Sequence, residues 1–151
     1  MFTSCGKNNL PFGTIIRKAP KNQPFLVKNT IEVSGGYFSK SELASVKQRL
    51  SNQLEDSSKV PGKDVLIFLK IIKRPLAYDS ASSNASAKNM QASMFHLGYY
   101  NATVTATADT QLKKKFFSGQ IQKRVFVKYR IKAGNPTLID TVSYKLKKAG
   151  L

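Results

Sequence analysis

Side chains suited to catalysis are scarce in this chain of 151 residues. It contains eight Asp and Glu residues in total, a single histidine, His96, and a single cysteine, Cys5. The acidic residues are scattered, no nucleophile has a general base at a recognisable spacing, and no phosphate-binding glycine loop occurs. His96 has no second metal ligand near it in sequence, which favours a structural or solvated role. We therefore expect a protein that is not an enzyme and needs no cofactor, metal or small-molecule substrate.

The charge of the chain points instead to an anionic partner. Twenty-five Lys and Arg residues give a net charge of +17, which suits nucleic acid, anionic lipid or acidic protein. The cations are spread along the whole sequence, and only Lys113 to Lys115 and Lys145 to Lys148 form local clusters. This dispersion favours a generally basic surface over a dedicated polyanion site. The longest apolar run, Val65 to Ile72, is interrupted by Lys70 and is shorter than the ~20 residues of a membrane-spanning helix.

The first 24 residues have the composition of an extended leader, because repeated proline disfavours helix there. Cys5 follows Phe2-Thr3-Ser4, and small residues before such a cysteine resemble the cleavage site of a bacterial lipoprotein. The charged and apolar regions of a signal peptide are missing, so Met1 would then follow a truncation. The local sequence leaves a lipidated cysteine and a plain free thiol both open.

A strand and a helix should follow the leader. Apolar and polar residues alternate from Phe25 to Val33, which predicts a strand whose covered face carries Phe25, Val27, Ile31 and Val33. Ser39 and Glu42 have the spacing of a capping box at a helix N-terminus. The apolar stripe of that helix consists of Leu43, Val46, Leu50 and Leu54.

The middle of the chain predicts a loop and a second helix. Glu55 to Asp64 is polar and contains Pro61-Gly62, so we expect a loop; Val65 to Ile72 fits both a helix and a buried strand, and we favour helix. Asp79 or Ser80 can cap the next helix, which Gly98 should end. Its stripe of Ala87, Met90, Met94 and Leu97 is more typical of a core than of a cofactor site.

Two alternating strands complete the pattern, each with one core face and one wet face. The first is small and threonine-rich, which is typical of an edge strand with unpaired outer backbone groups, and it comprises Ala102, Thr103, Val104, Thr105, Ala106, Thr107 and Ala108. The second runs from Val125 to Lys132, with Phe126 on its wet face. The hairpin between them carries a candidate lipid or anion contact made of Lys113, Lys114, Lys115, Phe116 and Phe117. An ordinary solvated hairpin tip is the favoured alternative for that segment.

The predicted order begins like a type I KH domain, which binds single-stranded nucleic acid through a Gly-x-x-Gly loop between two helices. The corresponding segment here is Pro61-Gly62-Lys63-Asp64-Val65, which lacks the second glycine and places an acidic residue near the phosphate path. Nucleic acid is therefore disfavoured as a partner.

A second resemblance covers nearly the whole chain. The segments 29–35, 78–80, 86–91 and 97–104, in that order, resemble the N-terminal region of BamA-superfamily outer-membrane proteins, with the TamA-like lipoproteins (TamL) of Bacteroidetes as the nearest likeness. Residues 127–136 look like the last strand and terminal glycine turn of a POTRA domain, and 138–146 like the first strand of the next.

The resemblance implies an α+β, POTRA-like β-α-α-β-β fold, with two helices on one face of a three-stranded mixed sheet and an insertion between the helices. It implies a leader over 1–24, the domain over 25–136 and the first strand of a following, truncated domain over 137–151. It also implies a periplasmic scaffold at the outer membrane, lipidated at Cys5 and preceding a β-barrel. Such a module would bind unfolded outer-membrane proteins or partner subunits at the edge strand by β-augmentation. Nucleic acid and an anionic membrane surface are the alternative partners.

Overall fold

A computed structural model of the chain describes residues 15–55, 62–66, 69–114 and 119–137. Its elements are, in chain order, β1 (Ile15–Arg17), β2 (Phe25–Ser34), α1 (Lys40–Ser51), β3 (Gly62–Leu66), β4 (Leu69–Lys73), α2 (Ser80–His96), β5 (Thr103–Lys114) and β6 (Ile121–Lys132). The fold is α+β, and α1 and α2 cover one face of a mixed three-stranded sheet, as the sequence predicts. The strand order is β2-β6-β5, in which β2 runs parallel and β5 antiparallel to the central β6.

The main core lies between this sheet and the two helices. Its centre is Tyr129 of β6, which is completely buried between the strands and the helices. The predicted helix stripes supply the opposite side, with Val46 and Leu50 from α1 and Met90 and Met94 from α2 all buried. Each such side chain contributes about 1.5–3 kcal/mol when it leaves water, so this layer stabilises the whole helix–sheet arrangement.

The ends of both helices follow their local sequence. The backbone N–H of Glu42 donates to Ser39 Oγ at 3.3 Å, and the N–H of Ser39 donates to the Glu42 carboxylate at 2.7 Å, which completes the capping box. Hydrogen bonding of the Glu42 carboxylate with the Ser39 side chain, and then with the Ser39 backbone N–H, lowers the pKa of the Glu42 carboxyl. Asp79 caps α2 by accepting from the N–H of Ala81 at 3.0 Å. Gly98, with φ of +88°, follows α2 in the left-handed region.

A second three-stranded sheet combines β3 and β4, which lie between the two helices in sequence, with β1, which precedes both helices. Its order is β1-β4-β3, with β1 parallel and β3 antiparallel to β4. The prediction of a helix over Val65 to Ile72 is therefore wrong, because its described residues belong to the strands β3 and β4. The predicted loop over Glu55 to Asp64 also ends early, since β3 begins at Gly62. β4 gains a partner from β1, more than fifty residues earlier in the chain, which the local apolar pattern does not reveal.

A β-bulge in β2 changes which of its side chains share a face. Leu26 lies opposite Val125, whereas Lys28 lies opposite Phe126, so Val27 is an extra residue in the ladder. Phe25 and Val27 therefore face the second sheet, and Ile31 and Val33 face the helices. The prediction that these four apolar residues share one face is wrong for this reason.

The second sheet also covers part of the face that the sequence assigns to solvent. Phe126, predicted on a wet face, is only 5% exposed and packs with Ile16 and Ile72. The unbroken buried run Val125, Phe126 and Val127 reflects this burial on both faces of β6. Beyond Phe126 the face opens to solvent, where Arg130 and Lys132 are exposed.

Candidate functional site

β5 forms one margin of the three-stranded sheet. It pairs with β6 along its whole length, from Thr103 opposite Lys132 to Lys114 opposite Ile121, without a register shift. Within the part of the chain that the structure describes, no strand flanks its other side. The small, threonine-rich segment therefore lies at a sheet edge.

Hydrogen bonds of two threonines show which backbone groups point outward. The Thr105 hydroxyl donates to the carbonyl of Arg130 at 3.5 Å, and the Thr107 hydroxyl donates to that of Lys128 at 3.3 Å. These two carbonyls therefore face β5, and Thr105 and Thr107 direct their own N–H and C=O groups toward β6. Because backbone groups alternate in direction along a strand, those of Val104, Ala106 and Ala108 point away from the sheet.

The other flank of β6 supports this assignment. The N–H of Ala133 donates to the carbonyl of Ser34 at 2.9 Å, and the Ser34 hydroxyl donates to the carbonyl of Ile131 at 3.2 Å. Odd-numbered residues at the end of β6 thus direct their backbone N–H and C=O groups toward β2. The even-numbered Lys128 and Arg130 therefore direct theirs toward β5.

Ala102, predicted as the first residue of the edge, precedes the strand. Its N–H donates to the carbonyl of Tyr99 at 3.1 Å, and its carbonyl accepts from Gln91 Nε2 at 3.4 Å. The side chain is buried in the main core. The outward-pointing backbone groups of the edge therefore begin at Val104.

The opposite margin of the sheet, formed by β2, is partly covered, in contrast to the margin at β5. At the start of β2 the N–H of Leu26 donates to the carbonyl of Leu76 at 3.1 Å, and the N–H of Tyr78 donates to that of Pro24 at 2.9 Å. Proteins commonly protect sheet edges with such coverings, with bulges, or with proline and charged residues. Residues 103–108 contain no proline and no charge, and their ladder contains no bulge.

An aromatic shelf, defined here as Phe95 and Tyr100, lies near the start of β5. The hydrogen bond from Gln91 to Ala102 places one side of α2 beside the entry to the strand, and Phe95 is one turn further on that side. Phe95 and Tyr100 are 54% and 53% exposed, and their ring centroids are 4.5 Å apart in an edge-on arrangement. An added strand would therefore meet apolar surface on its helix side.

The solvent face beside the edge is cationic. Glu32 of β2 accepts from Lys128 Nζ at 3.0 Å and lies 3.8 Å from Arg130 Nε. Lys132 follows on the same face, opposite Thr103, so three cations of β6 lie in a row beside Glu32 on this face. Asp109 of β5 lies further along the same face, opposite Phe126. On this face the β5 residues beside these cations are Thr103, Thr105 and Thr107. Because threonine is small, it does not screen the long cationic side chains from an added strand.

The other predicted site residues lie elsewhere. Lys113 and Lys114 belong to β5 itself and are exposed, which corrects their assignment to the hairpin tip. At about 3.4 Å per residue they lie roughly 17–20 Å from Ala108, so they are not part of the same contact surface. Residues 115–117 and Cys5 lie outside the described residues.

The described ranges contain neither a candidate metal site nor a candidate membrane-spanning helix. Among those residues there is no group of three His, Cys, Asp or Glu side chains close enough together to hold a metal ion. His96 is exposed and lies edge-on to Phe95 at 6.2 Å. None of the described helices combines the length and the apolar character needed to span a bilayer.

A concavity lies away from the edge strand. This cleft of about 540 Å³ lies between residues 16–22 and the start of β6, with Lys18 and Lys21 on one side and Gln122 on the other. Local sequence patterns do not reveal this cleft, because its two walls are about a hundred residues apart in the chain. A scan of protein-family models and a search of curated proteins both find no match to this chain.

Proposed function

We propose that this chain is a non-catalytic, periplasmic scaffold or chaperone-like module of an outer-membrane protein assembly or translocation factor. It binds an extended client or partner chain by adding that chain as a strand along β5. The likeness of segments 29–35 and 97–104 to BamA-superfamily proteins supports the class of protein. The fold that this likeness implies, two helices over a three-stranded mixed sheet, is the fold of the described domain.

One observation carries the binding mode: Val104, Ala106 and Ala108 present backbone N–H and C=O groups outward at an edge that no described strand covers. An extended chain placed beside them gains main-chain hydrogen bonds whatever its side chains are. Each bond contributes only ~0.5–1.5 kcal/mol net, and ordering a flexible client opposes binding. The complex is therefore weak and reversible, as a module that passes clients onward requires.

The surroundings of the edge favour an amphipathic client strand. Val104 and Ala106 are half-buried on the helix side, where they pack against the main core, so client residues on that side should be apolar. The opposite side of the client would lie near the cationic face of β6. Strands of outer-membrane barrels alternate apolar and polar residues, so they have the pattern that this edge accommodates.

A titration with a fluorescently labelled barrel-strand peptide tests the proposal. Val104→Pro removes an outward N–H and places a ring in the path of the added strand, so we expect weaker binding by about fivefold or more. Val104→Ala keeps the N–H and trims the side chain, so it should bind much more nearly like the parent chain. Equal affinity of Val104→Pro and the parent chain would show that the client does not bind along β5.

A further inference from the structure

The far ends of β5 and β6 form a two-stranded arm, defined here as residues 110–114 paired with 121–125. One face of the arm carries Leu112 opposite Lys123 and Lys114 opposite Ile121. Two apolar and two cationic side chains therefore alternate in a checkerboard, with the apolar pair on one diagonal. Leu112 and Ile121 are each 65% exposed, and both lysines are exposed.

The opposite face of the arm has a different character. Arg124 donates from Nε and Nη2 to Gln122 Oε1 at 3.1 and 2.9 Å, and Gln122 is buried. The guanidinium is thereby held against its own strand, and burial lowers the pKa of Arg124. Lys113 is an exposed cation on this face too, but among the arm's residues the exposed aliphatic side chains lie only on the checkerboard face, where they alternate with Lys114 and Lys123.

We propose that the checkerboard face binds the surface of an anionic lipid bilayer. Aliphatic side chains enter the boundary between headgroups and acyl chains, while lysine stems lie along apolar surface and carry the ammonium groups to the phosphates. Anionic headgroups supply the charge complementary to Lys114 and Lys123. The nearest carboxylate on the arm's strands, Asp109, accepts a hydrogen bond from Gln111 at 3.3 Å on the opposite face.

The side-chain types favour lipid over nucleic acid. Single-stranded nucleic acid binds to platforms on which bases stack on aromatic rings. The ten residues that define the arm contain no aromatic residue, and their one arginine, Arg124, is engaged by Gln122. This inference is independent of strand addition, because it uses the end of the sheet farthest from Val104.

Vesicle flotation of the full chain tests the proposal. The probes are vesicles of phosphatidylcholine alone and of phosphatidylcholine mixed equally with phosphatidylglycerol. Lys114→Gln combined with Lys123→Gln should lower partitioning into the mixed vesicles by roughly tenfold or more, given a loss of about fivefold for each lysine near such a surface. Leu112→Ser combined with Ile121→Ser should also lower it, because insertion of the apolar pair is lost.

The matched control is Lys47→Gln combined with Lys88→Gln, which removes the same charge from exposed positions of α1 and α2. An equal loss in this control would overturn the proposal by showing that only net charge matters. Partitioning that is unaffected by the Leu112/Ile121 change would overturn it too, as would equal binding to neutral vesicles. A labelled single-stranded oligonucleotide is run in parallel, and arm variants that lower only its binding would reassign the face to nucleic acid. Unchanged thermal unfolding of each variant excludes misfolding as the cause.

Discussion

Proline at two neighbouring positions of β5 should affect different properties: one change should weaken client binding, and the other should lower stability. Ala106 directs its N–H outward, whereas Thr105 directs its N–H toward the carbonyl of Arg130. Ala106→Pro should therefore weaken client binding and leave the sheet ladder intact. Thr105→Pro should destabilise the domain.

The magnitudes follow from the hydrogen bonds that each change removes. Thr105→Pro eliminates a ladder N–H and the hydroxyl that donates to Arg130 at 3.5 Å, and it leaves that carbonyl unsatisfied, at a cost of about 1–3 kcal/mol. Ala106→Pro removes an N–H that is solvated in the free protein, so its effect on stability should stay within ~1 kcal/mol. In the complex it removes one hydrogen bond and obstructs the client backbone, which should lower affinity by at least about fivefold.

Two assays separate these effects. Urea denaturation followed by circular dichroism measures the free energy of unfolding, and fluorescence anisotropy with the labelled strand peptide measures affinity. Strand addition to β5 predicts a large stability loss only in Thr105→Pro and an affinity loss in a stable Ala106→Pro. Similar destabilisation by both changes would show that the assignment of backbone directions is wrong, and full affinity of Ala106→Pro would refute strand addition.

Three further changes test the packing and electrostatics. Phe126→Ala should lower the free energy of unfolding by about 3–5 kcal/mol in urea denaturation, because the second sheet buries this ring; a solvent-exposed ring would cost almost nothing. Ser39→Ala should raise the pKa of Glu42 in an NMR titration, since Ser39 is the cause of its lowered value. Because that pKa is lowered on folding, the Glu42 contribution to stability is present above the ordinary pKa and lost as pH falls through the lowered one; Ser39→Ala should lose less stability over that acidic range. Glu32→Gln should change stability by less than ~1 kcal/mol, as expected for exposed ion pairs, and a larger loss would mean that this carboxylate organises the cationic face.

Features set by neighbouring residues could be predicted from the sequence. The capping box at Ser39 and the cap at Asp79 depend only on residues within four consecutive positions, and both are confirmed. The stripe containing Met90 and Met94 follows from helical periodicity alone, and both side chains are buried. The edge position of β5 followed from the small, threonine-rich composition of residues 102–108.

Features set by distant pairing could not be predicted. β4 is a strand that pairs with β1, and the sheet that they form covers Phe126. The bulge at Val27, in the pairing of β2 with β6, separately changes which side chains of β2 face the helices. No local pattern contains this information. The burial of Ser86 could not be predicted for a different reason, since a serine on a helix is normally exposed to solvent.

The burial of Ser86 follows from the hydrogen bonds of its hydroxyl. Ser86 Oγ donates to the carbonyl of Ser82 at 2.8 Å and accepts from the N–H of Glu55 at 3.0 Å, so the polar group is satisfied inside the protein. This contact ties the segment after α1 to α2. A partner more than thirty residues away decides the role of a residue whose local pattern is uninformative.

Amide hydrogen exchange with and without the strand peptide tests the central claim most directly. In the free protein, Thr105 and Thr107 should exchange slowly and Val104, Ala106 and Ala108 quickly. Saturating peptide should slow exchange at the latter three while the two threonines change little. Peptide binding that leaves Val104, Ala106 and Ala108 unprotected would contradict the proposal that the client adds to β5.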